Sequence, residues 1–308
     1  MIKKYIAIAI VLLYSTIEGQ AQEAIELTNL EFNTEYSDFG GTEYNNQIIF
    51  ASSKSKRGLF KRIWTPNKQP YLDLYVTQQN DSTQSWESIK KLSEAINTKY
   101  HESSVAFSPD KKIMYFTRDN YQDGELGKSD ANGKVVLNLY KATNIYGEWT
   151  DIEPLPFNSH LYSTGHPSVS EDGKQLYFIS DMPGSLGETD IYVVDILSNN
   201  EYSAPRNLGK KVNTTKKEMF PYIDKQGVLY FSSNGREDSL GGLDVYSFST
   251  KDNRQMISHL PSPINSVSDD FALKYNSETK TGFVSSNREG GKGSDDVYAF
   301  TGVLKAEE

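Results

Sequence analysis

The chain has 308 residues, including 20 Tyr, 14 Phe and no Cys, and a formal net charge of −9. That acidity argues against a nucleic-acid partner, which would require Lys and Arg to neutralise phosphates. Without cysteine there is neither a disulfide nor a lipobox cysteine to carry a lipid, so stability has to come from packing.

Residues 1–21 read as an export signal. Lys3 and Lys4 open it, a short apolar run follows over 5–14, and Gly19 and Ala21 occupy the −3 and −1 positions of a small-residue cleavage site. The apolar run is too short to span a bilayer. The exported chain is expected to begin near Gln22, to have no membrane span, and to form a single domain over 22–308.

Residues 26–34 (Glu-Leu-Thr-Asn-Leu-Glu-Phe-Asn-Thr) have the shape of a lone strand followed by an Asn-Thr pair. Five copies of one unit then follow. The first copy predicts strands near 37–41, 47–51, 72–76 and 86–92. The second predicts 104–107, a Ser108-Pro109-Asp110-Lys111-Lys112 turn, then 113–117, 137–140 and 149–155. The third has 166–169, the turn Ser170-Glu171-Asp172-Gly173-Lys174, Leu176-Tyr177-Phe178, Asp190-Ile191-Tyr192 and 202–208. The fourth has 220–223, the turn Asp224-Lys225-Gln226-Gly227, 228–233, 244–246 and 255–260. The fifth has 270–273 and 296–300, with no fourth strand after it.

The turns supply the side-chain acceptors and the positive φ that a tight hairpin needs. One polar residue recurs before the closing aromatic motif, as Asp73, Asn138, Asp190, Asp244 and Asp296, at spacings of 65, 52, 54 and 52 residues. Units of this length are small sheets that cannot bury their apolar faces alone. The expected fold is all-β: a β-propeller of four-stranded antiparallel blades. Five blades are expected, with six as the alternative if a degenerate blade lies in the first copy's insertion. The last copy lacks a strand and the N-terminus has one to spare, so the ring is expected to close across the termini, which also removes exposed strand edges.

The Ser-Pro-Asp-Lys-Lys and Ser-Glu-Asp-Gly-Lys turns ahead of apolar-Tyr-Phe resemble the WD40-like propeller repeat of TolB-type periplasmic proteins. Tyr230-Phe231-Ser232-Ser233-Asn234 with Gly241-Gly242-Leu243-Asp244-Val245-Tyr246, and the run from Ser285 to Tyr298, resemble the propeller part of OmpA-family envelope proteins of Bacteroidetes-type bacteria. The resemblance covers the chain beyond residue 21. It implies periplasmic or outer-membrane scaffolding, in some relatives linked to gliding motility and type IX secretion. The helical repeats and the peptidoglycan-binding domain that usually flank the propeller in such relatives have no counterpart here, so peptidoglycan anchoring does not carry over.

No nucleophile motif such as Gly-x-Ser-x-Gly is present. His101, His160, His166 and His259 have no i, i+4 partner for a helix-borne metal site, and no loop has the alternating Asp spacing of a calcium site, although the oxygen-rich loops leave calcium open. Two groups stand out as candidate sites. Lys54 to Gln69 holds Lys56, Arg57, Phe60, Lys61, Arg62 and Trp64 and no acid, a local reversal of charge suited to docking an acidic partner. Arg118, Arg236 and Arg288 recur where second strands run into Gly-rich loops. They are expected either to converge over the channel and hold a carboxylate bidentately, or to pair with the repeat's own acids, Asp119, Asp238 and Asp296.

The expected function is a non-catalytic scaffold, exported to the periplasm or outer membrane, that binds an envelope or secretion-system protein. The alternative is a glycan-binding or glycan-processing propeller.

Overall fold

The computed structural model describes residues 24–54, 63–64, 68–80, 82, 85–122, 125–126, 135–198, 201–250 and 256–304. Residues 1–23, with the expected export signal, and most of the basic insertion lie outside them.

Five four-stranded antiparallel sheets form a β-propeller. Blade 1 is built from Asp38–Tyr44, Gln47–Ser52, Asp73–Gln78 and Lys90–Lys91. Blade 2 is Glu102–Phe107, Ile113–Asp119, Leu137–Ile145 and Glu148–Pro154. Blade 3 is Thr164–Val169, Gln175–Ser180, Asp190–Asp195 and Arg206–Asn207. Blade 4 is Glu218–Ile223, Val228–Ser233, Asp244–Ser249 and Ile257–His259. Blade 5 takes Asp270–Asn276, Thr281–Ser286 and Asp296–Thr301 from the C-terminal end. Its outermost strand is Glu26–Asn29, which pairs antiparallel with Asp296–Thr301 in the register Leu27 to Phe300. The closure expected from the sequence is therefore present. In the first copy's insertion, the described residues contribute only a two-residue ladder, Ile63–Trp64 against Gln69–Pro70. The count is five.

The second and third strands are buried at most positions because both faces of a blade are covered. In blade 3, Leu176, Phe178, Tyr192 and Val194 pack towards blade 2 with Tyr115 and Leu139. The alternating residues Tyr177, Ile179, Ile191 and Val193 pack towards blade 4 with Leu229 and Phe231. The same arrangement recurs between every pair of neighbours. At the seam, Leu30 and Phe32 from the N-terminal segment join Ile48, Phe50 and Tyr75 of blade 1 and Val297 of blade 5.

The Asn-Thr and Asn-Ser pairs explain how each blade is held to the next connection. Asn265 accepts from the Val245 N–H at 2.7 Å and donates to the Val245 carbonyl at 2.9 Å. Asn213 does the same to Ile191 at 2.8 and 3.0 Å, Asn97 to Leu74 at 2.6 and 2.9 Å, and Asn158 to Leu139 at 3.0 and 2.7 Å. Asn33 does it across the termini to Val297, at 3.0 and 2.8 Å. A single amide thus imitates one rung of a ladder where the fourth strand has ended, satisfying an N–H that would otherwise be buried and unpaired. It also adds a second donor to a carbonyl that already accepts the N–H of the preceding Leu, such as Leu260 to Val245.

Replacing Asn265 by Ala leaves the Val245 N–H without a partner, at about 1–3 kcal/mol, while the Val245 C=O keeps the Leu260 N–H at 3.1 Å. Urea unfolding of Asn265→Ala should show stability lower by about 1–3 kcal/mol, with an unchanged m-value. Deleting residues 24–34 should cost more, because it removes both a strand and the equivalent clamp. A melt unchanged by that deletion would refute closure across the termini.

Candidate functional site

Antiparallel connectivity places the loops between second and third strands, and the connections into first strands, at one end of the blades. The first-to-second and third-to-fourth turns lie at the other. Functional residues were expected at the former, the loop face.

The three arginines do lie on the loop face, but each is bound within its own blade. Arg118 is buried and donates to the Ala95 and Ile96 carbonyls at 3.0 and 2.7 Å, with its Nε 3.3 Å from Glu102. Arg236 donates to the Val212 carbonyl at 2.7 Å and is held electrostatically by Glu218. Arg288 donates to the Pro263 and Ile264 carbonyls, both at 2.8 Å, and pairs with Asp270. Each guanidinium also lies over an aromatic ring of its blade, such as Tyr140, Tyr246 or Tyr298. The acids that face them most closely are the first residues of the inner strands; of the expected Asp119, Asp238 and Asp296, Asp238 adds a weaker attraction to Arg236. The arginines therefore clamp the incoming connection of blades 2, 4 and 5, which replaces the expected convergence on the channel.

Those inner-strand acids are fully buried and were missed by sequence reading. Thr34 donates its N–H and hydroxyl to Asp38, Thr214 to Glu218 and Ser266 to Asp270. Thr98 donates its hydroxyl to Glu102. Burial pushes the Glu102 and Glu218 carboxyls above the usual range, against the pull of their arginines. The available signal was the repeated spacing Asn-Thr/Ser-x-x-x-acid, which is present four times and is replaced by Thr164 in blade 3.

The recurrent third-strand acid has a structural role as well. Asp190 accepts from the Leu186 and Gly187 N–H groups at 2.7 and 3.1 Å, and Asp244 from Leu240 and Gly241 at the same distances. Asp296 accepts from Lys292 and Gly293. Each acid thereby caps the Gly-rich loop before it. A donor on the fourth strand completes the pair: Lys91 to Asp73, Asn207 to Asp190, His259 to Asp244 and Asn29 to Asp296. The capped loops lie against the next blade, and a Cβ at Gly241 or Gly293 would collide with the backbone of Ser268 or Tyr36.

Of the basic insertion, Lys56, Arg57, Phe60, Lys61 and Arg62 lie outside the described residues. Trp64 is exposed and meets His101 edge-on at 4.9 Å, and His101 in turn packs on Tyr71. His101 accepts the Leu72 N–H, and burial lowers its pKa to about 4. His160 is exposed, His259 pairs with Asp244, and His166 lies on an inner strand, so the histidines do not gather. Among the described residues no three of His, Asp and Glu form a group able to hold a metal.

The centre of the ring is closed towards the loop face. Every inner strand carries a bulge at one residue with positive φ: Gly40, Ser104, His166, Phe220 and Ala272. Bulges re-aim side chains, and here they crowd the axis. The His166 ring stacks on Phe220 at 3.9 Å, and Phe220 meets Phe271 at 5.0 Å and Phe39 at 6.1 Å. Only about 10 Å³ remains between these strands, room for at most one water. Below this plug, on the turn face, the channel widens into a funnel of about 440 Å³ lined by all five blades. One wall residue, Lys274, borders both the plug and the funnel. Its Nζ is 5.0 Å from the Tyr222 ring centroid, and burial lowers its pKa to about 8.

No protein-family model and no curated protein matches the sequence. Among solved structures, the chain is similar to TolB from Acinetobacter baumannii, with 16% identity over 85% of this chain and 53% of that one, at a TM-score of 0.44. It thus spans about half of that TolB. It is similar also to a putative TolB from Agrobacterium tumefaciens, with 14% identity over 91% of both chains at 0.45. A third is α-L-arabinofuranosidase from Lactobacillus brevis, with 10% identity over 87% of this chain and 90% of that one at 0.49. Likenesses this distant concern the course of the backbone and carry nothing about activity.

Two outcomes test this assignment of roles. Arg118→Met strands the Glu102 carboxyl and two carbonyls in the interior, and chemical denaturation should register a loss of about 3–5 kcal/mol, the range for breaking a buried pair. For Lys274 the folded-state pKa lies below the unfolded value, so the folded protein binds fewer protons between about pH 8 and the unfolded lysine pKa. Stability should therefore rise with pH in that window. Compared with Lys274→Met, which shares every tyrosine, the wild type should gain stability between pH 8 and 10. Parallel pH profiles would reject the assignment.

Proposed function

We propose that the protein is a non-catalytic scaffold that binds another protein through its loop face. The observation that carries this reading is the set of exposed apolar side chains emerging there: Ile63 and Trp64 of the first insertion, Leu161, Leu186, Leu240 and Val267, the last 88% exposed. Three of these six, Leu186 and Leu240 in capped loops and Val267 in an arginine-clamped connection, sit on rigid supports, so a partner would meet a partly preorganised surface and lose less ordering entropy. Trp at such a position is a typical energetic anchor. The adjoining basic residues Lys56, Arg57, Lys61 and Arg62 would suit an acidic partner and speed its encounter.

A structural role for the buried acids supports the non-catalytic side of this reading. Asp38, Glu102, Glu218 and Asp270 are held by hydroxyls, backbone N–H groups or arginines inside the fold. The N-terminal segment, with its basic start, apolar run and small-residue site, supports export, and the resemblance to envelope propellers makes an envelope or secretion-system protein the partner of choice. Among the described residues no helix is long and apolar enough to cross a membrane.

Cross-linking and pull-down from native envelopes tests the reading. A variant carrying Trp64→Ala, Leu240→Ser and Val267→Ser should keep its melting temperature within a few degrees and lose the captured protein. A second variant, Phe60→Ala with Arg62→Ala, assigns the share of the basic insertion. Undiminished capture by the first variant would sink the proposal.

A further inference from the structure

The turn-face funnel is a second site, independent of the loop face, and its wall has an unusual composition. After the bulge, the five inner strands present Thr42, Ala106, Ser168, Tyr222 and Lys274 at equivalent positions, each opposite the residue before the buried second-strand Phe or Val. This ring therefore carries one formal charge. Among the described residues Lys274 forms no ion pair, and its Nζ lies over the face of Tyr222. The half-buried ammonium thus faces the funnel without a counter-ion, and a bound anion would supply the missing charge. His166, on the other side, is held neutral by burial and by this same cation.

We infer that the funnel binds a small organic monocarboxylate, its carboxylate on the Lys274 ammonium and its apolar body against Tyr222 and Phe107. The volume fits: ligand pockets begin at about 300 Å³, and this one holds about 440 Å³. The Ser168 hydroxyl, which accepts the Ile223 N–H at 3.1 Å, retains a proton to donate. Two acids at the wider rim, Glu43 and Glu171, face the same space. Lys111 and Lys225 line the rim beside these acids, Lys225 at 3.9 Å from Glu171, so the rim charges offset one another and the single cation below suits a monoanion better than a dianion such as phosphate. The plug blocks passage to the loop face, so the site is a dead-end pocket and not a through-channel.

Calorimetric titration of the full chain at pH 7 with benzoate, butyrate, benzamide and inorganic phosphate tests this. Benzoate should bind saturably at one to one, benzamide and phosphate at least tenfold more weakly. Lys274→Met should weaken benzoate at least tenfold, and Lys274→Arg should retain most of the affinity. Wild-type affinity should fall at least tenfold between pH 7 and 9.5 as Lys274 loses its proton; the rim groups Glu43, Glu171, Lys111 and Lys225 are exposed or half-exposed. No saturable binding of either carboxylate, equal binding by Lys274→Met, or tighter binding of phosphate than benzoate would each overturn the proposal. Should Lys274→Met fail to fold, NMR of the wild-type Lys274 ammonium decides: its pKa should rise on adding benzoate, and an unmoved pKa overturns the assignment. Success or failure here leaves the loop-face reading untouched, since the two sites lie on opposite ends of the ring.

Discussion

The propeller depends on an asparagine amide that behaves as backbone. A four-stranded blade ends in a short outer strand, and in blades 1, 3, 4 and 5 that strand is only two to four residues long. The third strand extends past it and would leave an N–H unpaired, and a C=O with one donor only, at the point where the chain turns inward. The Asn side chain covers both at once. Because it comes just before the next inner strand, the same bond that finishes one blade fixes the start of its neighbour. In four blades the Thr or Ser that follows then bonds the buried acid of that inner strand, and in three blades an arginine attracts the acid and bonds carbonyls of the connection. Repeated around the ring, this relay couples each blade to the next through hydrogen bonds as well as apolar layers. At the seam, Asn33 makes the same bonds to Val297 that the other four make to their own blades, so closure needs no special chemistry.

The blade count, strand order and closure across the termini were legible in the sequence because they follow from alternation and from a repeat. Both are consequences of burying two faces of every sheet. The role of the repeating acid was less legible. Asp73, Asp190, Asp244 and Asp296 are conspicuous, yet their donors are Lys91, Asn207, His259 and Asn29, four positions with three residue types. A local pattern cannot reveal a pair whose geometry, not chemistry, is what repeats. The arginines were half legible for a related reason: pairing with acids of the repeat was one of two expected readings, but the particular acids were not foreseen. Arg118 lies within its second strand, while Arg236 and Arg288 follow theirs by a few residues. A long side chain reaches the same clamp from different registers, so their recurrence near Gly-rich loops did not tell which acids they meet.

Lys274 was invisible to sequence reading because it has no counterpart. In Asp270–Asn276 a lysine between Leu273 and Tyr275 reads as a solvent-facing position of an ordinary strand. Only the bulge at Ala272 and the closing of five inner strands around an axis turn that position inward. A bulge shifts the alternation by one residue, so a residue's direction in these strands cannot be counted from the strand's start. The same shift turns His166 and Phe220 into the plug.

The five bulges also explain why the two ends of the molecule differ. Four of the five positive-φ residues are not glycine, and such a conformation costs about 1–2 kcal/mol in each. Four repeated penalties are tolerated only where something compensates, and here it is the stacking of His166, Phe220, Phe39 and Phe271 across the axis. That stacking seals the loop face, whose connections are capped and clamped into a firm surface suited to contact with a large partner. The turn face keeps its hairpins apart, and its space ends on a cation with no counter-ion. A ring of nearly identical blades thus becomes polar along its axis because one residue in each inner strand turns against the regular ladder.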